Sequence, residues 1–204
     1  LNFYKSKYFL LEDNEKIVQI PIPEDSVPYG SFAQKLIVLL RSDWENSEGT
    51  WSKGSLVLLD KSELILGKIK GNVLFRPDEK TFFEGMSVLK DGLLLHLVSN
   101  VQSQVLYLKK AGSSFEKIPL ALPRGGSLSL HSLDPFSNHV ILTYENFLTP
   151  QTLFLYDLGS SSQMHITKTS LNDSFNKKGL KIVHTFDKIA DGTKFPYYLI
   201  GPEK

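Results

Sequence analysis

The sequence predicts an all-β protein, and two observations carry that prediction. Apolar residues come in short runs broken by turn residues, the pattern of strands rather than of helices. The strand groups also recur. Phe83 to Leu120 holds four candidate strands, and Ser127 to about Thr167 holds four more. The repeat is roughly 40–45 residues, the length of one four-stranded propeller blade. About four such groups fit in 204 residues, so the expected architecture is a β-propeller, although a closed ring of four blades is uncommon. A β-sandwich of similar strand number is the structural rival.

The elements follow in order. Tyr8–Glu12 and Lys16–Ile20 flank Asp13-Asn14-Glu15, a hairpin signal because Asp and Asn tolerate the left-handed turn conformation. Lys35–Arg41 and Ser55–Asp60 come next, joined by the polar stretch Ser42–Gly54, which reads as a loop. Lys61–Lys70 reads as helix or strand, with Leu64, Ile65 and Ile69 at helical spacing. Asn72–Arg76 is stopped by Pro77. Phe83–Leu89 and Leu93–Ser99 pair across Lys90-Asp91-Gly92, and Ser103–Lys109 and Phe115–Leu120 complete that group. The second group is Ser127–Leu133, His139–Tyr144, Thr152–Leu158 and Gln163–Thr167. Lys181–Phe186 and Lys194–Ile200 flank a turn at Asp191-Gly192.

Composition removes whole classes of chemistry. There is no cysteine, hence no disulfide, thiolate metal site or cysteine nucleophile. With 23 Lys+Arg against 22 Asp+Glu, the net charge of +1 gives no general electrostatic case for nucleic acid or acidic membrane. The longest apolar run, Leu36–Leu40, is far short of the roughly 20 residues of a transmembrane helix. The first residues lack the pattern of a signal peptide. These features favour the cytoplasm and leave the periplasm open. The chain starts at Leu1 rather than Met, which suggests a piece of a larger protein.

No complete active site is legible. A serine hydrolase needs a serine on a sharp turn, a histidine base and an orienting acid, and no G-x-S-x-G pentapeptide occurs. The nearest imitation is Ser127-Leu-Ser129-Leu-His131-Ser-Leu-Asp134. Strand alternation puts Ser127, Ser129 and His131 on one face and Asp134 on the other. Neighbours on one face lie about 6–7 Å apart, beyond hydrogen-bond reach. The five histidines, His96, His131, His139, His165 and His184, have no helical ligand spacing, so no metal or cofactor is expected. Gly67-Lys68 lacks a glycine-rich approach to a phosphate, and Gly125-Gly126 reads as a turn. Trp44 and Trp51 could form a sugar-stacking surface or cover sheet ends. Asn172-Asp-Ser174 matches a glycosylation sequon, and Lys177-Lys178 is a solvated turn.

From Lys35 onward the sequence resembles the prolyl oligopeptidase family of serine peptidases, in particular its bacterial members. The likeness is carried by Leu36-Ile-Val-Leu-Leu-Arg-Ser-Asp-Trp44 with Trp51–Asp60, by Val73-Leu-Phe-Arg-Pro77 and by Leu93–Tyr107. It continues in Phe147-Leu-Thr-Pro-Gln-Thr-Leu-Phe-Leu-Tyr-Asp157 and in Ala190-Asp-Gly-Thr-Lys-Phe-Pro-Tyr-Tyr-Leu-Ile200. Ile189-Ala190 replaces the usual Ser-Lys of the last segment, and the first 34 residues match loosely.

The resemblance implies about four blades of a seven-bladed ring over residues 1–178, an open arc. Residues 179–204 would then be the linker and opening strands of an α/β-hydrolase domain, cut before its nucleophile elbow. It implies that no catalytic residue transfers to this chain, which should be inactive alone. The implied role is gating and scaffolding for hydrolysis of short peptides after proline. The channel-facing strands would be Lys35–Arg41, Phe83–Leu89 and Ser127–Leu133. Uncovered terminal blade faces predict self-association. The alternative is a freestanding β-propeller or β-sandwich interaction module without catalysis.

Overall fold

A computed structural model describes residues 4–13, 15–123, 125–131, 134–159, 167–170 (backbone) and 176–203. His165, the sequon at Asn172–Ser174 and most of the expected strand Gln163–Thr167 lie outside the described residues. The chain divides into two compact units, Leu1–Phe83 and Glu84–Lys204. No helix among the described residues is long and apolar enough to cross a membrane.

The first unit opens with β1 (Phe9–Leu11) and β2 (Ile17–Gln19), paired as the hairpin the turn residues predict. Then come β3 (Val27–Phe32), β4 (Lys35–Leu39), β5 (Trp44–Asn46), β6 (Gly49–Trp51), β7 (Leu56–Asp60), α1 (Lys61–Ile65) and β8 (Gly71–Phe75). One antiparallel sheet runs in the order β3-β4-β7-β8. Its edge strand β3 has no counterpart in the sequence reading, because Pro28 and Gly30 interrupt the alternation and the register shifts between them. Lys35–Arg41 is therefore the second strand of its group, not the first.

The stretch Ser42–Gly54 is not simply a loop: β5 and β6 pair within it, Trp44 opposite Trp51. The two indoles meet edge to face at 5.3 Å, and Trp51 is buried. Both pack with Leu36, Val38, Leu40, Val57 and Leu59 in the core of this unit, so they do not form an exposed sugar-stacking surface. The helix α1 is much shorter than Lys61–Lys70. Asp60 caps it by accepting from the Ser62 backbone N–H at 3.2 Å. Gly67, at φ 73°, ends the turn as its N–H donates to the Leu64 carbonyl.

The second unit takes most of β9 (Thr81–Leu89), followed by β10 (Gly92–Ser99), β11 (Gln102–Ala111) and β12 (Ser114–Pro119), a sheet in the order β12-β11-β10-β9. The next sheet, β13-β14-β15-β16, is made by β13 (Ser127–Leu130), β14 (His139–Asn146), β15 (Thr149–Asp157) and β16 (Thr167–Ser170). The strands β17 (Leu180–Lys188) and β18 (Lys194–Pro202) form a separate two-stranded sheet. The described residues thus hold three four-stranded antiparallel sheets as in propeller blades, two built from sequential neighbours and one, β3-β4-β7-β8, interrupted by the β5–β6 hairpin.

The two four-stranded sheets of the second unit stack because one face alone cannot bury their apolar side chains. Leu89, Leu94, Val105 and Tyr107 from one sheet and Val140, Leu142, Tyr144, Phe154 and Tyr156 from the next form a single core. In β10 the whole run Gly92–Leu97 is buried, so both of its faces are covered. In β14 burial alternates instead, with Val140, Leu142 and Tyr144 inside and Ile141 out.

Polar contacts join the two sheets at one end. Asn138 donates through Nδ2 to Asp91 Oδ2 at 2.6 Å and accepts from the Asp91 N–H at 3.1 Å. The hairpin loop is Lys90-Asp91, and Gly92 already belongs to β10. A Cβ on Gly92 would overlap the Leu108 carbonyl oxygen, so glycine is needed there for close strand approach. Gly92→Ala should therefore destabilise the protein by about 1–3 kcal/mol. A urea titration of the variant against the parent checks this, with a lowered midpoint and unchanged slope as the expected result.

Candidate functional site

The second unit carries a cleft of about 470 Å³, within the size range of small-ligand and peptide sites. Its apolar walls are Val98, Val101, Phe147 and Tyr198, and its polar lining includes Ser103, Ser127, Glu145 and Asn146. Four sequence-distant pieces meet there. The β10–β11 turn supplies Val101, the approach to β13 supplies Gly125 and Gly126, the β14–β15 turn supplies Phe147, and β18 supplies Tyr198.

The local backbone explains these positions. Asn100 and Val101 have φ of 48° and 60°, the left-handed pair of a tight two-residue hairpin. Gly126 lies where any Cβ would overlap the Glu145 carbonyl and the Tyr144 ring, which lets the chain pass close beneath the cleft. Asn146 fixes the next turn by accepting from the Leu148 N–H at 2.9 Å and donating to the Tyr144 hydroxyl at 2.8 Å. Phe147 is left 60% exposed and meets the Tyr198 ring at 5.8 Å. Burial pushes the Tyr144 and Tyr198 phenols up, so both rings stay neutral around physiological pH. The surface is aromatic with one carboxylate, Glu145, in its lining.

The residues singled out from sequence do not assemble into a triad. Ser127 lines the cleft. Ser127, Ser129 and His131 share the exposed side of β13 and its extension. His131 Nε2 is 3.0 Å from Thr143 Oγ1, and Asp134 Oδ1 accepts from the Phe136 N–H at 2.8 Å in a separate turn. His139 bonds Ser137 at 2.9 Å, and His184 bonds Gln102 at 2.8 Å. No group of three His, Asp or Glu side chains able to hold a metal occurs among the described residues. Sequence reading missed Val101, Phe147 and Tyr198 as cleft residues. All three sit in the segments that carry the family resemblance, which is the signal that could have found them.

His96 lies below the cleft, buried on β10, with its Nε2 3.1 Å from the cleft residue Ser103. Burial lowers its pKa from the usual 6.5, and the Glu84 carboxylate partly opposes the shift.

Residues 67–169 match the family described as prolyl oligopeptidase, N-terminal β-propeller domain. The chain belongs to this family, and the three four-stranded sheets are propeller blades. It is 32% identical over 192 residues to an uncharacterized peptidase of Sinorhizobium fredii, covering 93% of this chain and 26% of that protein. An uncharacterized peptidase of Rickettsia prowazekii is 27% identical over 206 residues, covering 98% of this chain and 28% of the relative. Among solved structures, a post-proline cleaving enzyme from Rickettsia typhi superposes with a TM-score of 0.80 at 26% identity, over 98% of this chain and 30% of that one. Prolyl oligopeptidase B from Galerina marginata shares the fold at TM-score 0.65 and 14% identity, over 98% of this chain and 28% of the other. The chain therefore spans between a quarter and a third of the length of the relatives it matches, and it is related to hydrolases of the prolyl oligopeptidase family.

The His96 shift has a definite sign. A histidine whose folded pKa is depressed contributes stability above its unfolded value, near 6.5, that is lost as pH falls through the folded value. Urea midpoints measured downward from pH 7.5 should drop more steeply in the parent than in His96→Gln, which keeps a partner for Ser103 and does not titrate. Equal slopes in the two proteins would refute the assignment.

Proposed function

We propose that this chain is the gating and scaffold portion of a prolyl oligopeptidase-like serine peptidase that cleaves short peptides after proline. The observation that carries the reading is the family match over residues 67–169, which takes in β8 to β15 and every cleft residue except Tyr198. On this reading residues 179–204, the β17–β18 hairpin, are the opening strands of the hydrolase domain that follows. Rigid blades over a hydrolase pocket would bar folded proteins and admit short peptides. They would also exclude water, which strengthens the fixed dipoles that stabilise an acyl-transfer transition state.

The chain has no hydrolytic activity of its own on this reading, because the family carries its catalytic serine, aspartate and histidine in the hydrolase domain and none of them transfers to a position of this chain. A fluorogenic Gly-Pro amide assay on the purified 204-residue chain tests this. Background rate is expected. Turnover proportional to protein concentration, and abolished by a serine-directed phosphonate, would overturn the reading.

We further propose that the isolated chain self-associates through uncovered apolar faces. Ile141 and Leu153 are 41% and 43% exposed on the side of their sheet away from the core, and Leu199 is 54% exposed on β18. Light scattering should give a mass that rises with concentration, and Leu153→Lys should lower it. A constant monomer mass across the range rejects this proposal.

A further inference from the structure

We infer that the β17–β18 hairpin is a strap docked on the cleft by two side-chain latches, and that it opens as a unit while the four-stranded sheets stay folded. The inference concerns this chain alone and does not depend on the peptidase reading.

Three observations converge on the strap. Its nine-residue strands pair with each other from Leu180 opposite Pro202 to Lys188 opposite Lys194, and with no other strand among the described residues. It contributes no residue to the hydrophobic core of its unit. Its attachment runs through side chains that reach far along the sequence. Gln102 Nε2 donates to His184 Nδ1 at 2.8 Å across 82 positions, and the Tyr198 hydroxyl donates to the Val101 carbonyl at 3.4 Å across 97. The Tyr198 ring also packs on His184 at 5.0 Å and on Phe147 at 5.8 Å.

The latches engage adjacent residues, Val101 of the β10–β11 turn and Gln102 at the start of β11, and both carry an internal cost. Val101 is β-branched at φ 60°, a conformation that such residues avoid, and it presents the carbonyl that Tyr198 binds. With Gln102 donating to Nδ1, the proton of the neutral His184 ring resides on Nε2. That nitrogen is buried with no hydrogen-bond partner among the described residues. A strap without core contacts, held by strained and partly unsatisfied latches, belongs to the low-stability end of a structure that opens locally. Once undocked, a lone two-stranded hairpin is marginal in water, so its amides lose protection. Val101 and Tyr198 are also cleft walls, so opening the strap removes one side of the cleft. A ligand resting on Tyr198 would therefore favour the docked state.

Amide hydrogen–deuterium exchange by mass spectrometry on the whole chain tests the strap. In the unaltered protein the amides of 180–202 should be protected, yet exchange faster than those of β10, β14 and β15. Gln102→Ala and Tyr198→Phe each remove one neutral hydrogen bond, so each should speed exchange of 180–202 by about five-fold. The double variant should reach roughly 25-fold if both latches oppose one opening. Unprotected strap amides in the parent, or unchanged exchange in both single variants, would overturn the inference. A rise shared equally by β10, β14 and β15 would do the same, because the strap would then belong to the cooperative blade unit.

Discussion

The structure depends on one constraint: a four-stranded sheet with apolar residues on both faces cannot hide them by itself. Leu94 and Tyr107 must meet Val140, Leu142 and Tyr156 of the next sheet, and this stacking builds the core of the second unit. Close stacking demands close strands, which is why Gly71, Gly92 and Gly126 stand where any side chain would strike a neighbouring carbonyl. Burying these apolar surfaces is the dominant stabilising term, while the polar staple between Asp91 and Asn138 fixes which sheet ends meet.

The cleft is a consequence of that stacking. Each sheet ends in tight turns, and the turns Asn100–Val101 and Phe147–Leu148 present their side chains beside the connection through Gly125 and Gly126. The cleft combines apolar walls with two hydroxyls, Ser103 and Ser127, the Asn146 amide and the Glu145 carboxylate. The site offers an apolar, aromatic wall with polar groups beside it. The β17–β18 hairpin adds the remaining wall through Tyr198, a contact made by side chains and not by the ladder.

Much of the fold was legible in the sequence where local chemistry dominates. Asp13-Asn14 and Lys90-Asp91-Gly92 mark their hairpins, and the run Leu93–Val98 announces a strand buried on both faces. The reading failed where tertiary context overrides local pattern. Pro28 and Gly30 hide β3, which survives as an edge strand because an edge tolerates a missing donor and a register shift. The polar stretch Ser42–Gly54 conceals β5 and β6, whose pairing draws on the burial of Trp51 in the core below.

By itself, then, the sequence determined an all-β repeat without cysteine chemistry, and the order of motifs that marks the family. Alternation and turn residues act over a few positions, so they are readable one segment at a time. Only the tertiary structure decided which residues share a site. His184 meets Gln102, and Tyr198 meets Val101 and Phe147, across separations of 82 and 97 residues for the hydrogen-bonded pairs. Contacts of that range have no local signature, because they exist only after the sheets have stacked and brought their turns to one end.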